Sequence, residues 1–290
     1  VGGSQAEYSG CVVRACRKKR LLRECYVMIR LGAVSYLNAR PLVHGLDQQT
    51  NRFSLRFDVP SRCASLLHDG AVDLGLIPSI EITQRPDYHI VPNVAIASIG
   101  RVASVAVFAS RPITAVRSIA VDRSSRTSVA LLRVLCAQSF DIEPKFVTLE
   151  PDIKSMLKRC DAALLIGDAA LFTDQDALGI EKIDLGEEWT AMTNLPFVWA
   201  FWAGRPGVVG PEDIAALTAA RDAGVKASDA IATKFCEGDA EKVEIAVDYL
   251  RDNISFTLDD PARAGLKKFL EAAKDQRVVQ LLPPLKYYEP

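Results

Sequence analysis

The sequence predicts an α/β fold made of two lobes with a cleft between them, followed by a helical tail. Strand-like and helix-like segments alternate twice, over residues 29–77 and again over 118–166. Apolar segments at 104–110 and 195–204 follow the two alternating units, and the pattern from Pro211 onward is helical. Because consecutive strands within each unit leave room for a helical crossover, we expect them to pair in parallel.

The first unit contains three strands, and proline favours the start of its helices. Its predicted elements are the strand Ile29–Val34, a short helix Pro41–Leu46, the strand Phe53–Asp58, the helix Ser61–His68 and the strand Val72–Ile77. In the second strand the alternation predicts that Phe53, Leu55 and Phe57 share one face.

The second unit repeats the scheme, and the chain then becomes helical. Its predicted elements are the strand Ser118–Val121, the helix Thr127–Ser139, the strand Lys145–Leu149, the helix Asp152–Arg159 and the strand Ala162–Ile166. Four helices are predicted for the tail, over Pro211–Ala223, Ala227–Phe235, Ala240–Asn253 and Pro261–Ala273. We expect this tail to pack back on the first lobe.

The two apolar segments, Ser104–Ser110 and Leu195–Gly204, are predicted to be strands that cross between the lobes. Lobe 1 would then comprise residues 28–108 and 202–290, and lobe 2 residues 109–201. This is the architecture of type II periplasmic binding proteins. A single doubly wound domain with a helical cap fits the same pattern.

Composition excludes several classes of protein. The chain has 290 residues, 49% of them hydrophobic and 24% charged, as in ordinary globular proteins. Lys and Arg number 35 against 36 Asp and Glu, so there is no basic excess for nucleic-acid binding. No apolar run reaches the roughly 18 residues that a membrane span needs. We therefore expect neither a nucleic-acid partner nor a membrane.

The first 27 residues differ from the rest. They hold six basic and two acidic residues, a charge of +4, so the net charge of −1 leaves −5 for residues 28–290. We interpret 1–27 as an upstream extension, with the domain starting at Met28; a short basic arm is the alternative. Four cysteines lie singly beyond it, at positions 63, 136, 160 and 236. They are expected to be buried reduced thiols of a cytoplasmic protein.

Ligands of α/β proteins bind where strands end, beside helix N-termini. Candidate ligand-binding residues stand at several of these places: Ser35, Tyr36, Asn38 and Arg40 after the first strand, Ser79 after the third, Ser104 at the apolar segment, and Gly167 and Asp168 after the last strand of the second unit. Each also has a structural alternative: Asn38 as a loop residue, Ser104 as a solvated strand residue, Tyr36 as packing and Asp168 as a helix cap.

The run from Ser124 to Ser128 gives the clearest signal for a ligand. It places hydroxyls, backbone N–H groups and Arg126 at a helix start, where the helix dipole favours a carboxylate or phosphate. An ordinary Ser/Thr helix cap is the alternative. The three histidines, at 44, 68 and 89, have no spacing that indicates a metal site or a catalytic triad. Without a well-placed histidine, the base of any reaction must be a carboxylate of the protein or of the substrate.

Five motifs in order resemble the chorismate dehydratases of the futalosine route of menaquinone biosynthesis. They are SYLNARPL (35–42), GAVDLGLIPS (70–79), SSRTSVALLRVL (124–135), LLIGDAAL (164–171) and TNLPFVWAFWA (193–203). The resemblance implies a type II binding-protein fold that works as a cytoplasmic lyase. Such an enzyme removes water from chorismate, a dianion, to give 3-[(1-carboxyvinyl)oxy]benzoate, with no metal or organic cofactor.

The resemblance also implies roles for the residues. Asn38 and Ser104 match the two polar residues on which the family relies, and are expected to be catalytic. Ser125, Arg126 and Thr127 are expected to bind one carboxylate of the substrate. The remaining expected substrate-binding residues are Ser35, Tyr36, Arg40, Ser79, Gly167 and Asp168. Arg40 departs from the family pattern, which often has a small or apolar residue there, so its role stays open, as does the oligomeric state.

Two other functions fit the same architecture. A 1,4-dihydroxy-6-naphthoate synthase of the same pathway is expected to carry a P-C-P-N-D-type motif after the first strand and a histidine after the second unit. This chain has Ser35–Asn38 and Gly167-Asp168 in those places, which argues against that enzyme. A solute receptor would bind a small carboxylate without consuming it, and fold alone does not exclude one.

Overall fold

The computed structural model describes residues 28–290 and contains two mixed β-sheets. The predicted leader, 1–27, lies outside the described residues. The larger sheet contains β1 (Ile29–Val34), β2 (Phe53–Asp58), β3 (Leu74–Pro78), β4 (His89–Ser98), β10 (Phe197–Gly204) and β11 (Lys286–Tyr287). Its strand order is β11-β4-β10-β3-β1-β2. β1 pairs in parallel with both β2 and β3, as predicted, whereas β10 is antiparallel to β3 and β4.

The smaller sheet is built from the second unit. It contains β5 (Val105–Ala109), β6 (Ser118–Asp122), β7 (Lys145–Leu149), β8 (Ala162–Ile166) and β9 (Glu181–Asp184), in the order β7-β6-β8-β5-β9. β6 is parallel to β7 and β8, which confirms the predicted parallel pairing of this unit. β5 joins the sheet antiparallel to β8 and β9.

Helices and 3-10 turns connect the strands. The α-helices are α1 (Pro60–His68), α2 (Arg126–Gln138), α3 (Ile153–Leu157), α4 (Gly167–Leu171), α5 (Gln175–Leu178), α6 (Leu185–Thr193), α7 (Pro211–Lys226), α8 (Ser228–Phe235), α9 (Ala240–Asp248) and α10 (Asp260–Asp275). A π-helical segment, Tyr249–Asn253, continues α9. The 3-10 turns are Leu37–Ala39, Pro41–Val43, Leu46–Gln48, Ser79–Thr83 and Ile113–Ala115.

The chain passes between the two sheets twice, but each predicted crossing strand belongs to one sheet. β5 pairs along its whole length within the smaller sheet, and β10 within the larger sheet. The predicted lobe limits at 108/109 and 201/202 therefore fall inside strands. The changes of sheet occur in the irregular segment between Ser98 and Val105 and between the end of β9 and Phe197.

Three strands and three α-helices were not predicted: β4, β9 and β11, and α4, α5 and α6. β4 contains Pro92 inside its apolar run, and β9 has three charged residues among four, so neither shows a regular strand pattern. α6 follows β9 directly. The unbroken register of β2 on β1 places Phe53, Leu55 and Phe57 on one face, as predicted. Phe57 is nevertheless 42% exposed, because it lies near the end of β2, an edge strand of the larger sheet. The guanidinium of Arg40 lies 4.7 Å from the centre of the Phe57 ring.

The helical tail packs back on the larger sheet, as predicted. α7 lies so close to the Pro41 turn that a Cβ at Gly224 would be 2.1 Å from the carbonyl oxygen of Pro41. α10 packs on β10, where the rings of Phe269 and Phe197 are 4.7 Å apart. Trp189 of α6 completes this aromatic core, with its ring 5.3 Å from that of Phe197. The tail is thereby fixed to the strand that follows the second passage between the sheets.

Two further observations concern the hydropathy of the helices and the state of the cysteines. Among residues 28–290, no helix is both long enough and apolar enough to cross a membrane. The four cysteines of this part of the chain are free and buried, as predicted. Burial raises the pKa of the Cys63 and Cys136 thiols to about 12, so both stay protonated at neutral pH.

Candidate functional site

A cavity lies between the two sheets, where strands from both end. Its apolar wall includes Val34 and Pro78 from the larger sheet and Val105 and Ile166 from the smaller one. The space between its walls is about 540 Å³, including the part that opens to solvent. The polar wall is formed by Tyr36, Asn38, Ser104, the run Ser124–Ser128 and Gly167. The position at the strand ends is the one that the sequence predicted.

Asn38 is placed by the 3-10 turn Leu37–Ala39 that follows β1. Leu37 and Ala39 on either side are fully buried, so the turn is anchored in the core and Asn38 faces the cavity. The Oδ1 atom of Asn38 is buried and has no hydrogen-bond partner in the described part of the chain. A buried carbonyl oxygen without a partner is costly, so this atom is available to a bound ligand.

Ser104 is placed by a carboxylate from another element. Asp184, which caps α6, accepts hydrogen bonds from the backbone N–H of Val102 at 3.0 Å and of Ala103 at 2.6 Å. These bonds hold Ala103 at φ +61°, a left-handed conformation that is unfavourable for alanine. The Ser104 carbonyl accepts from the N–H of Gly167 at 2.8 Å. Ser104 is therefore fixed from both sides at the start of β5.

The Ser104 hydroxyl meets a tyrosine that the sequence did not indicate. Tyr249, from the π-helical segment of the tail, has its hydroxyl 2.7 Å from Ser104 Oγ. The side chain of Asn38 lies beside the same hydroxyl and interacts with it electrostatically. Burial is the main cause that raises the pKa of Tyr249 far above its usual value, so its hydroxyl keeps its proton. Asn38 and Ser104, 66 residues apart in sequence, are thus joined through Tyr249.

Tyr36 and Gly167 form a contact across the cleft. Gly167 has φ +62°, and a Cβ there would lie 2.6 Å from the Tyr36 ring, so only glycine fits beneath it. Burial raises the pKa of Tyr36 to about 12, because it outweighs the lowering effect of the Ser124 side chain. The Tyr36 ring is therefore a neutral wall of the cavity, held by residues of the opposite sheet.

The start of α2 forms the anion-binding part of the wall. No side chain caps this helix, and the Oγ of Ser125 is buried without a partner in residues 28–290. The first N–H groups of a helix have no acceptor within the helix, and the dipole is positive there. Thr127 Oγ1 accepts from the N–H of Ile80 at 3.2 Å, which ties this helix start to the other sheet. Such groups suit a carboxylate, and the binding of one here stays a prediction.

Arg126 lies at the same place, but its charge already has a partner. Its guanidinium donates at 2.8 Å to Glu81, which is only 3% exposed and also contacts His68 Nε2 at 2.9 Å. Burial of Glu81 raises its pKa, but the bonds from His68 and Arg126 outweigh this and lower it below its usual value. The sequence did not show this pairing, because Glu81 comes from a different element.

Four predicted binding residues lie outside the cavity wall. Ser35 uses its carbonyl to accept from Arg40 at 2.9 Å, and Ser79 is fully buried next to Pro78. Burial lowers the pKa of Arg40. Asp168 accepts from the N–H of Leu37 at 3.0 Å and so links the two sheets; its burial raises its pKa. These four residues lie behind the wall, and their predicted part in substrate binding stays a prediction.

The residues that line the cavity determine its chemistry. None of the described lining residues is Asp, Glu, His, Lys or Cys. In the same part of the chain, no three such side chains converge in a way that could hold a metal ion. The wall can donate hydrogen bonds, accept them and stabilise an anion, but it offers no group that is a good base near neutral pH. Trp199 also lines the cavity, and its indole N–H donates a hydrogen bond to Ser98 Oγ at 3.0 Å.

Comparison with known proteins gives the family. The sequence model of a family described as menaquinone biosynthesis matches residues 29–275. The chain is 30% identical over 262 residues to the chorismate dehydratase of Thermus thermophilus, covering 83% of this chain and 94% of that protein.

Solved structures give the fold. The periplasmic aliphatic sulphonate binding protein of Escherichia coli matches with a TM-score of 0.62 at 15% identity, covering 91% of this chain and 94% of that one. A Candida albicans protein with the generic periplasmic binding protein fold matches with a TM-score of 0.60 at 14% identity, covering 91% and 99% of the two chains. The predicted two-lobed binding-protein fold is confirmed, and the chain belongs to the menaquinone biosynthesis family.

Proposed function

We propose that this protein is a hydro-lyase that removes water from chorismate to give 3-[(1-carboxyvinyl)oxy]benzoate. The family and the relative from Thermus thermophilus support the substrate. The observation that carries the proposal is the cavity wall, which combines Asn38, Ser104 and a helix start with no carboxylate or imidazole. Such a wall suits a reaction in which the substrate supplies its own base.

The helix start of α2 suits one carboxylate of the chorismate dianion. The N–H groups of its first turn and the unpartnered, buried Ser125 Oγ provide donors for it. Residues 28–290 carry a formal charge of −5, so the dianion is held by these local groups and not by the field of the whole protein. Arg126 contributes its backbone there, while its side chain pairs with Glu81.

The opposite part of the wall suits the reacting ring. Asn38 and Ser104 hold the C4 hydroxyl, and the enolpyruvyl carboxylate of the substrate takes the C3 proton. The C4–O bond breaks, the departing hydroxide receives that proton, and one water leaves while the carboxylate is regenerated. The ring becomes aromatic, so the step is strongly downhill. The protein contributes orientation and stabilisation of the developing charge.

The proposed biological setting follows from the family. The product would enter the futalosine route of menaquinone biosynthesis, in the cytoplasm, where the substrate is made. The reaction as written needs no metal ion and no organic cofactor, because both the proton acceptor and the leaving group belong to chorismate.

The test is incubation of the purified protein with an excess of chorismate, followed by mass spectrometry and ultraviolet absorbance. We expect an aromatic product lighter than chorismate by one water, in amounts far above the amount of protein. Heat-inactivated protein is the control. Chorismate that remains unchanged would overturn the proposal.

A solute receptor is the second candidate, because the structural relatives include the sulphonate binding protein of Escherichia coli. A receptor predicts saturable binding of chorismate, one molecule per protein, without product. A 1,4-dihydroxy-6-naphthoate synthase predicts that chorismate is neither bound nor consumed. The three candidates thus give different results in the same experiment.

A further inference from the structure

We propose that Tyr249 is a positioning residue that turns the Asn38 amide and the Ser104 hydroxyl toward the cavity. This inference rests on the proposed function for its effect on turnover, but its geometry is independent of the substrate. Tyr249 is 1% exposed and is not among the residues that line the cavity. It therefore acts through Asn38 and Ser104, and not by contact with a ligand.

The donors and acceptors around the Tyr249 hydroxyl favour one direction for each contact. Since Asn38 Oδ1 has no partner in the described chain, we infer that Asn38 turns its Nδ2 amide, a donor, toward the Tyr249 hydroxyl. The Tyr249 oxygen is then an acceptor, and its own proton is free to be donated to Ser104 Oγ, 2.7 Å away. Ser104 must in turn donate its proton elsewhere, and the cavity is the space that its side chain lines.

The result is one acceptor and one donor presented to the ligand. Asn38 Oδ1 can accept from the substrate hydroxyl, and the Ser104 O–H can donate to its oxygen as the C–O bond breaks. Without the Tyr249 hydroxyl, the Asn38 amide can rotate and the Ser104 proton can turn toward the vacated space. Both groups would remain, but their directions would no longer be set.

The backbone around Tyr249 is tied to the segment that carries Ser104. Tyr249 begins the π-helical segment, a conformation that is rare and frequent at functional sites. The end of this segment is fixed by Asn253, whose Nδ2 donates to the Arg101 carbonyl at 3.1 Å. Ser255 and Ala97 exchange two backbone hydrogen bonds, each of 2.8 Å. The helical tail thus delivers Tyr249 to the passage between the sheets.

The test compares Tyr249→Phe with Tyr288→Phe. Tyr288 is also buried, and its hydroxyl donates to the Arg205 carbonyl at 2.6 Å, so the control loses a buried hydrogen bond of the same kind away from Asn38 and Ser104. We expect Tyr249→Phe to lower kcat on chorismate by about 10- to 100-fold with KM changed less than about threefold. Tyr288→Phe is expected to keep kcat. A merely structural role would lower both variants alike or leave both active.

The double variant, Tyr249→Phe with Ser104→Ala, tests whether Tyr249 acts on turnover through Ser104. If Tyr249 acts through Ser104, then Tyr249→Phe adds little to the loss that Ser104→Ala already causes. The inference would be overturned if the two losses of kcat multiply in the double variant. It would also be overturned if Tyr249→Phe keeps kcat within about twofold of the wild type.

A spectroscopic readout separates this inference from the proposed function. In protein labelled with ¹³C at tyrosine Cζ, the Tyr249 signal is identified by its loss in Tyr249→Phe. We expect it to shift in both Asn38→Ala and Ser104→Ala, whether or not chorismate is consumed. If the wild type leaves chorismate unchanged and these shifts appear, the function is wrong and the positioning role stands. If the shifts are absent, the positioning role is wrong even when the wild type is active.

Discussion

The two polar parts of the cavity are built in opposite ways. The helix-start part consists of consecutive residues, Ser124–Ser128, and works mainly through backbone N–H groups and the helix dipole. The amide–hydroxyl part, Asn38 with Ser104, combines side chains from distant stretches of chain and is joined by Tyr249 from the tail. The first part can hold an anion as soon as α2 forms, whereas the second requires the whole fold.

This difference separates binding from chemistry. A carboxylate at a helix start is held equally in substrate and transition state, so changes there alter KM more than kcat. Groups directed at the breaking C–O bond matter most as charge develops, so changes there alter kcat. Variants in the two parts of the wall are therefore predicted to give different kinetic signatures.

The largest effect is predicted for Asn38→Ala. It removes the unpartnered Oδ1 acceptor and the amide that orients Tyr249, and we expect kcat to fall by about 10²- to 10³-fold. Folding is expected to be little changed, because Asn38 lies in a turn anchored by Leu37 and Ala39. Asn51→Ala, at an exposed turn position, is the matched control. Steady-state kinetics with chorismate and thermal unfolding check both variants; wild-type kcat in Asn38→Ala would contradict the assignment.

A smaller effect, on both parts of the wall, is predicted for Gly167→Ala. The added Cβ would meet the Tyr36 ring at 2.6 Å, so the ring must move and the contact across the cleft opens. We expect kcat/KM to fall by about tenfold or more. Gly179→Ala is the control, since Gly179 has the same φ of +62° with nothing within 4 Å of its Cβ. An equal loss in both variants would show that backbone strain, and not the Tyr36 contact, is responsible.

The smallest effect on catalysis is predicted for Glu81→Gln, which concerns the helix-start part alone. It breaks a buried pair with Arg126, and we expect the free energy of unfolding to fall by about 2 kcal/mol, less than a fully buried pair would lose because Arg126 is half-buried. KM is expected to rise severalfold with kcat almost unchanged. Asp229→Asn, in an exposed pair with Arg251, is the control and is expected to cost less than about 1 kcal/mol.

The pH dependence of this variant has a defined sign. The pKa of Glu81 is lower in the folded protein than in the unfolded chain, where it is about 4.3. The pair therefore stabilises the fold above that pH, and its contribution is lost as the pH falls through the folded pKa. Denaturant unfolding between about pH 6 and pH 3 should show a smaller acid-induced loss for Glu81→Gln than for the wild type. Parallel curves would contradict the role of this pair.

Much of the fold follows from local pattern. The strands Ile29–Val34 and Ala162–Ile166 have the predicted limits because each is a short apolar run between clear turn or helix signals. β4 and β9 were not predicted because Pro92 interrupts the pattern of β4 and three charged residues interrupt that of β9, and pairing in the sheet decides their conformation. The predicted lobe limits fall within β5 and β10, because the sheet that a strand joins is decided by long-range pairing.

The site residues fall into the same two groups: those with a local signal in the sequence and those placed by long-range contacts. The Ser124–Ser128 run was predicted because its signal is contiguous, and Asn38 because it follows a strand. Tyr249 gave no signal, since a tyrosine in a helical tail looks like packing until the tail is placed beside Ser104. The pairing of Arg126 with Glu81 was hidden because the two residues come from different elements.

The most direct test of the central claim measures binding and turnover of chorismate separately in the wild type and in Asn38→Ala. Calorimetry gives the Kd, and product counted by mass spectrometry gives the number of turnovers per protein. The account predicts many turnovers for the wild type, and for Asn38→Ala a Kd within about tenfold of the wild type with less than about 1% of its turnover. A wild type that binds chorismate and returns it unchanged would contradict the account.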